Sequence, residues 1–276
     1  MKDNQYKENL EDKAAWEKVA ADDRNTHKTL EHDYRNRNKL IIVPMGDEHI
    51  GSKFYDEETH KRIVKWCCDT KTPVIHMGDM LETATKDSVG AGVFEQDLIV
   101  DKQIEKAVEI YTPLAKKGLL LGVHIGNHEA RVYNHSGANL SKIMAKLLKV
   151  PYLSIGTLHY FMVGSERYEV YTTHGSSGAR LPHTKIKSCL DLANMIMGVD
   201  VYCHAHLHNL DHHIRNCYKF NRKKRILEEK ELHFVLTGSY LKHWGSYGHT
   251  KNYEPARRGS PKIKMSGIEH RVRVSL

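Results

Sequence analysis

Five short clusters along the chain carry side chains able to hold a metal ion: Asp47-Glu48-His49, Gly78-Asp79, Gly126-Asn127-His128-Glu129, Thr173-His174-Gly175 and His204-Ala205-His206. Imidazole nitrogens mixed with carboxylate and amide oxygens suit manganese, iron, zinc or nickel. A glycine stands before or within most of these clusters, where a sharp turn or a close approach would need one. In a chain with 20 histidines the default for any single one is a core or surface role. His124, His159, His183, His212 and His213 are read that way. His208 shares a strand face with His206 but is read as a loop histidine.

The clusters need elements to bring them together, and each follows an apolar run. LIIVPM from Leu40, PVIHMG at 73–78 and LLLGVHIG at 119–126 read as buried strands, with helical patterns at 56–70 and 97–116 between them. Strand and helix in alternation imply βαβ units and a largely parallel sheet. Ligand sites in such sheets lie beyond the carboxyl ends of the strands, which is where the clusters fall. Further along, a helix is expected at 138–149, strands at 158–163 and 168–173, a helix at 184–197 and a strand at 199–204. Strands near 212–218 and 231–237 flank the charged run NRKKRILEEK at 221–230, which reads as a hairpin tip or a helix, and the closing IEHRVRVSL alternates like an edge strand.

The order DxH, GD, GNHE, HG and HxH, spread over residues 39–210, resembles the calcineurin-like metallophosphoesterase superfamily. The resemblance implies a layered α/β fold with its metal site at the carboxyl ends of the strands. It implies that Asp47, His49 and His206 bind one divalent ion, that Asn127, His174 and His204 bind a second, and that the Asp79 carboxylate bridges them. Manganese is the expected ion, with iron, zinc and nickel as alternatives. Such a pair activates a water and steadies the phosphoryl oxygens, and His128 would protonate the leaving oxygen as general acid. Two positions depart from the family pattern. Cys203 stands where a glycine commonly precedes the HxH pair, and GDMLETA lacks the GDxxDRG arginine of the phosphoprotein phosphatases, which disfavours that activity.

DEHIG is similar to the opening of the SbcD-type nucleases, and GNHEAR with HGSSGAR resembles members encoded by bacteriophages. Composition leans the same way. Lys plus Arg exceeds Asp plus Glu by 42 to 34, and residues 242–276 carry eight basic against two acidic side chains. Phosphate contacts supply most sequence-independent affinity for nucleic acid, so a nuclease or phosphodiesterase is the leading expectation. Tyr240, Trp244, Tyr247 and Tyr253 in the same stretch offer rings for base stacking. Arg180, in the Gly- and Ser-rich HGSSGAR segment, is a candidate phosphate-binding residue. A small-molecule phosphodiesterase or phosphatase is the alternative, and a non-catalytic scaffold is disfavoured because every expected ligand is present. Residues 1–38 hold eight basic and nine acidic side chains and read as a helical extension ahead of a catalytic domain at 39–276. Five cysteines without CxxC pairing argue against a disulfide framework, and no apolar run is long enough for a membrane span or signal peptide. A cytoplasmic enzyme is expected, with no protein partner specified.

Overall fold

The computed structural model describes Glu17, residues 28–85 and residues 96–276. Residues 39–154 alternate strand and helix: β2 (Lys39–Met45), α1 (Glu57–Thr70), β3 (Val74–His76), α2 (Val100–Lys116), β4 (Leu120–His124), α3 (Asn127–Ser136), α4 (Leu140–Leu148) and β5 (Tyr152–Ser154). These strands pair in parallel, as the βαβ reading expects. From the C-terminal end, β11 (Lys262–Ser266) and β12 (Val272–Ser275) add antiparallel to β2, giving the order β12-β11-β2-β3-β4-β5. The closing alternation is thus an edge strand. Turn chemistry fixes the helix boundaries. The Asp56 side chain accepts from Thr59 N–H to cap α1, a contact worth about 1 kcal/mol, and Lys71 ends the helix in the left-handed region at φ 53°.

A second sheet holds β1 (Lys28–Tyr34), β6 (Gly156–Val163), β7 (Glu166–Thr173), β8 (Val201–His204), β9 (Leu210–Asn221) and β10 (Ile226–Thr237), in the order β1-β6-β7-β8-β10-β9. Between β7 and β8 run α5 (Pro182–Leu190) and α6 (Leu192–Met195), where the sequence pattern suggests one helix. The charged tip expected at 221–230 is confined to residues 222–225. Its flanks stay paired, Ile226 opposite Asn221. The helical reading of 1–38 is corrected over residues 28–34, and its remainder, apart from Glu17, lies outside the described residues. Leu30, His32 and Tyr34 alternate with exposed Glu31 and Asp33, and this period of two lets β1 add parallel to β6 despite its charge.

Three apolar layers hold the molecule together. Leu40, Ile42, Ile75 and Met77 of the first sheet pack on Phe161, Val170, Val201 and Val235 of the second. The outer face of the first sheet is covered by α1, α2 and α4 through Val64, Ala107, Ile110, Leu114 and Met144. The outer face of the second is covered by α5 and α6 through Cys189 and Ala193. The result is a helix, sheet, sheet, helix sandwich of two mixed, largely parallel sheets.

A row of polar side chains crosses the inner layer. Its contacts are His32 Nε2 to His159 Nδ1 (3.0 Å), His159 Nε2 to Thr172 Oγ1 (3.0 Å), Thr172 Oγ1 to His124 Nε2 (2.7 Å) and His124 Nδ1 to the Ser154 carbonyl (2.9 Å). A carbonyl only accepts, so His124 carries its hydrogen on Nδ1 and its Nε2 accepts from the Thr172 hydroxyl. Thr172 then accepts from His159 Nε2–H, and His159 Nδ1 accepts from His32 Nε2–H. Every tautomer in the row follows from that one carbonyl.

Candidate metal centre

Asp47 and His49 lie in the loop after β2, Asp79 after β3, Asn127 and His128 at the start of α3 after β4, His174 after β7, and His206 and His208 after β8. The loops reach one another because several of these residues adopt a backbone that side chains usually avoid. Asp47, His49, Asp79, His206 and His208 all have φ between 50° and 66°. Non-glycine residues in this left-handed region cost free energy, and they cluster at functional sites.

Two groups of donors share one carboxylate, Asp79. Asp47, His49, Asp79 and His208 form one, with all donor atoms within 4.8 Å of one another, and Asp79, His174 and His206 form the other, His206 and His208 being only partly buried; His49, Glu82 and His128 stand equally close as a third set. Asn127 Oδ1 joins the second, 3.0 Å from His174 Nε2 and 2.9 Å from His206 Nδ1. His49 Nε2 and His208 Nε2 stand 3.1 Å apart. With metal–nitrogen bonds of about 2.0–2.1 Å, two imidazoles on one ion stand about 3 Å apart. Asp47 Oδ1 and His49 Nδ1 are buried and make no hydrogen bond; each only faces a neighbour, His208 Nε2 at 3.4 Å and Glu82 Oε2 at 3.3 Å. A buried oxygen left so poorly paired is costly, and a cation is the partner that would satisfy it. The donor set fits metal ions.

Electrostatics reflects the crowding of charge. Burial pushes the Asp79 carboxyl up, but His174 and His128 outweigh it and hold the group well below the usual range. Burial pushes His49 and His174 down, and the adjacent carboxylates win in both, Glu82 at His49 and Asp79 at His174, raising each to about 9. His206 goes the other way, down to about 3 through burial and then the charge of His174.

Hydrogen bonds orient the donors. His174 Nδ1–H donates to Met77 O at 2.9 Å, which turns Nε2 inward. Asp47 Oδ2 accepts from His206 N–H, and Asp79 Oδ1 from His128 N–H, both at 2.9 Å. Glu129 accepts from the main-chain N–H of Asp79, Leu81 and Gly126 at 3.0–3.2 Å and so ties the β3 and β4 loops together. Behind the first loop, buried Glu48 accepts from His76 Nε2–H at 2.9 Å and Tyr111 O–H at 2.7 Å. His128 Nδ1–H donates to Glu82 O at 2.6 Å, leaving Nε2 facing Asp79 Oδ2 at 4.0 Å.

Of the residues singled out in the sequence, Asp47, His49, Asp79, Asn127, His174, His206 and His128 come together here. His204 does not. It ends β8, its Nδ1–H donates to Ala205 O at 2.7 Å, and it joins neither donor group. The loop histidine His208 takes the place beside Asp47 and His49. Cys203 is wholly buried between the sheets, away from the donors, and Ala205 is the small residue before the pair that joins them. Arg180 points to the C-terminal segment, its guanidinium 5.5 Å from the centre of the Tyr253 ring. Tyr240 is buried and bonded to Ser260 Oγ at 2.8 Å, so it offers no stacking face. Beyond His208, the sequence reading gave Glu129 no role apart from its place in the GNHE cluster and passed over Glu82, whose carbonyl orients His128 and has no spacing of its own to announce it. No helix among the described residues is long and apolar enough to cross a membrane. The chain matches no protein-family model and no curated protein.

Proposed function

We propose that this protein is a two-metal phosphoesterase of the calcineurin-like kind, cleaving phosphodiester bonds and acting on nucleic acid. The observation that carries the reading is the pair of donor groups joined through Asp79. One ion would be held by Asp47, His49 and His208, a second by Asn127, His174 and His206, with Asp79 common to both. When bound, such ions supply a water nucleophile at neutral pH and neutralise charge on the phosphoryl oxygens. The chain's own residues do the rest. Hydrogen bonds from His128 and His206 main-chain N–H hold the two aspartates, and Glu129 holds the loops on which Asp79 and Asn127 sit. With Nδ1–H fixed on Glu82 O and burial, then Arg131, lowering the ring to about 3, His128 turns an unprotonated Nε2 to the site, which must gain a proton from solvent before it could pass one to the departing oxygen.

Hydrolysis of bis-p-nitrophenyl phosphate and of p-nitrophenyl phosphate tests the reading, with Mn²⁺ and after exhaustive chelation. The expected result is diester cleavage in Mn²⁺, its loss on chelation and its return when the ion is restored. Full activity in protein shown by elemental analysis to be metal-free would sink the reading. Cleavage of the monoester far above the diester would shift it to a phosphatase.

A further inference from the structure

Trp244 is 81% exposed, ahead of Tyr218 at 69% and Phe220 at 57% among the described aromatic side chains, yet its ring is not loose. It stacks on His249 with ring centroids 4.2 Å apart and planes 29° from parallel. The loop beneath is bonded to itself. Gly245 N–H donates to His249 Nδ1 at 3.2 Å, Ser246 Oγ–H to His243 O at 2.6 Å, and Tyr253 N–H to Gly248 O at 2.8 Å. One face of the indole is therefore held by the protein and the other is presented to solvent. Around it the sequence interleaves cations with rings: Lys242, His243, Trp244, His249, Lys251 and Tyr253, with no carboxylate from 242 to 253.

The loop is anchored to the metal centre on two sides. Tyr240 N–H donates to Asp47 O at 3.1 Å and Lys242 N–H to Phe54 O at 2.7 Å, joining it to the segment that carries Asp47 and His49. Four residues span at most about 14 Å, so Trp244 stands within that reach of Tyr240. On the other side Arg180, six residues beyond His174, lies over the Tyr253 ring. The reach corresponds to about four nucleotides at the spacing of one strand of a duplex.

We propose that Trp244, backed by His249, is a stacking platform for an unpaired base of a single-stranded nucleic acid whose phosphates lie at the metal centre. This rests on the phosphodiesterase reading and adds to it that the bases, and not the phosphates alone, are bound. Every base has a flat π-face, so the platform does not select sequence; a duplex, whose bases are already stacked on one another, cannot use it.

Binding measured in chelator, where hydrolysis is suppressed, tests the platform apart from the chemistry. The probes are a fluorescently labelled eight-nucleotide oligothymidylate and an oligomer of the same length and charge in which abasic sites replace the bases. The wild-type protein is expected to bind the thymidylate at least about five-fold tighter than the abasic oligomer, the lower end of what one base–aromatic stack contributes. Trp244→Ala should lose that preference while binding the abasic oligomer as before, and Trp244→Phe should keep most of it. A wild-type protein that binds neither oligomer, or does not distinguish them, overturns the proposal. So does a Trp244→Ala protein with the preference intact, or one weakened equally toward both. Inactivity on small diesters with the base preference present would instead count against the metal chemistry alone.

Discussion

The choice between His204 and His208 turns on an offset of two residues. Asp47 and His49 stand two and four residues past the end of β2, and His206 and His208 stand two and four past the end of β8. The same backbone device serves both pairs, since all four residues lie at φ 50–66°. His204 is still part of the strand. If His208 is a ligand and His204 is not, His208→Ala should lose about one equivalent of bound metal, having given up one of only three or four ligands. His204→Ala should keep both. Elemental analysis after loading and gel filtration decides it, and loss confined to His204→Ala would restore the register first read from the sequence. An HxH pair directly after an apolar run points to that register, and three histidines spaced by two offer two such pairs. Where the strand stops sets the pair, and the sequence blurs that point because Cys203 and His204 continue the buried strand. The other donors were legible, since each of their clusters offers only one alignment with the end of its strand.

At the scale of elements, the loops after β3 and β4 are pressed together closely enough that Gly126 has no room for a side chain. A methyl group there would fall 2.0 Å from Asp79 Oδ1 and 2.2 Å from Asp79 N. The backbone at Gly126, with φ −108°, would accept alanine, so the constraint is steric. Gly126→Ala should therefore push Asp79 out of both donor groups. The expected outcome is loss of metal binding by calorimetry with unfolding stability lower by about 1–3 kcal/mol, the usual cost of overpacking. Unchanged metal affinity would mean that the two loops are less tightly docked than described. The elements themselves were legible where one face is apolar and the run is long, as in β2, β4 and α2. β1 and β11 were not. Their inward positions, half-buried in β1 and buried in β11, alternate with charged ones, Glu31 and Asp33 in one and Lys262 and Lys264 in the other, so that charge conceals the period.

On the scale of the whole molecule, the row from His32 to Ser154 makes the fold sensitive to acid. Burial lowers His32 to about 4 and His124 to about 3, and burial together with the charge of His32 holds His159 well below the usual histidine range. In the unfolded chain a histidine titrates near 6.5. Below that value the unfolded state takes up protons that the folded state refuses, so the stabilisation these rings confer is complete above pH 6.5 and declines as pH falls toward 4. His49 and His174, raised to about 9, gain stabilisation as pH falls from 9 to about 6, so they offset only the first part of the loss. The melting temperature should fall between pH 7 and pH 5, before most carboxylates begin to protonate, and a flat profile there would show that the rings take up protons without unfolding. The row has a second consequence. Two apolar sheets laid face to face can slide past one another with little change in the area they bury. Thr172 offers its hydroxyl to His124 across that gap, and every hydrogen on the far side is already assigned. In a sandwich slipped by one residue, the Thr172 hydroxyl could turn to the Thr157 carbonyl of its own sheet, 3.4 Å away, but buried His124 Nε2 would be left without a donor, so of the many ways the two greasy faces can meet, the row favours one.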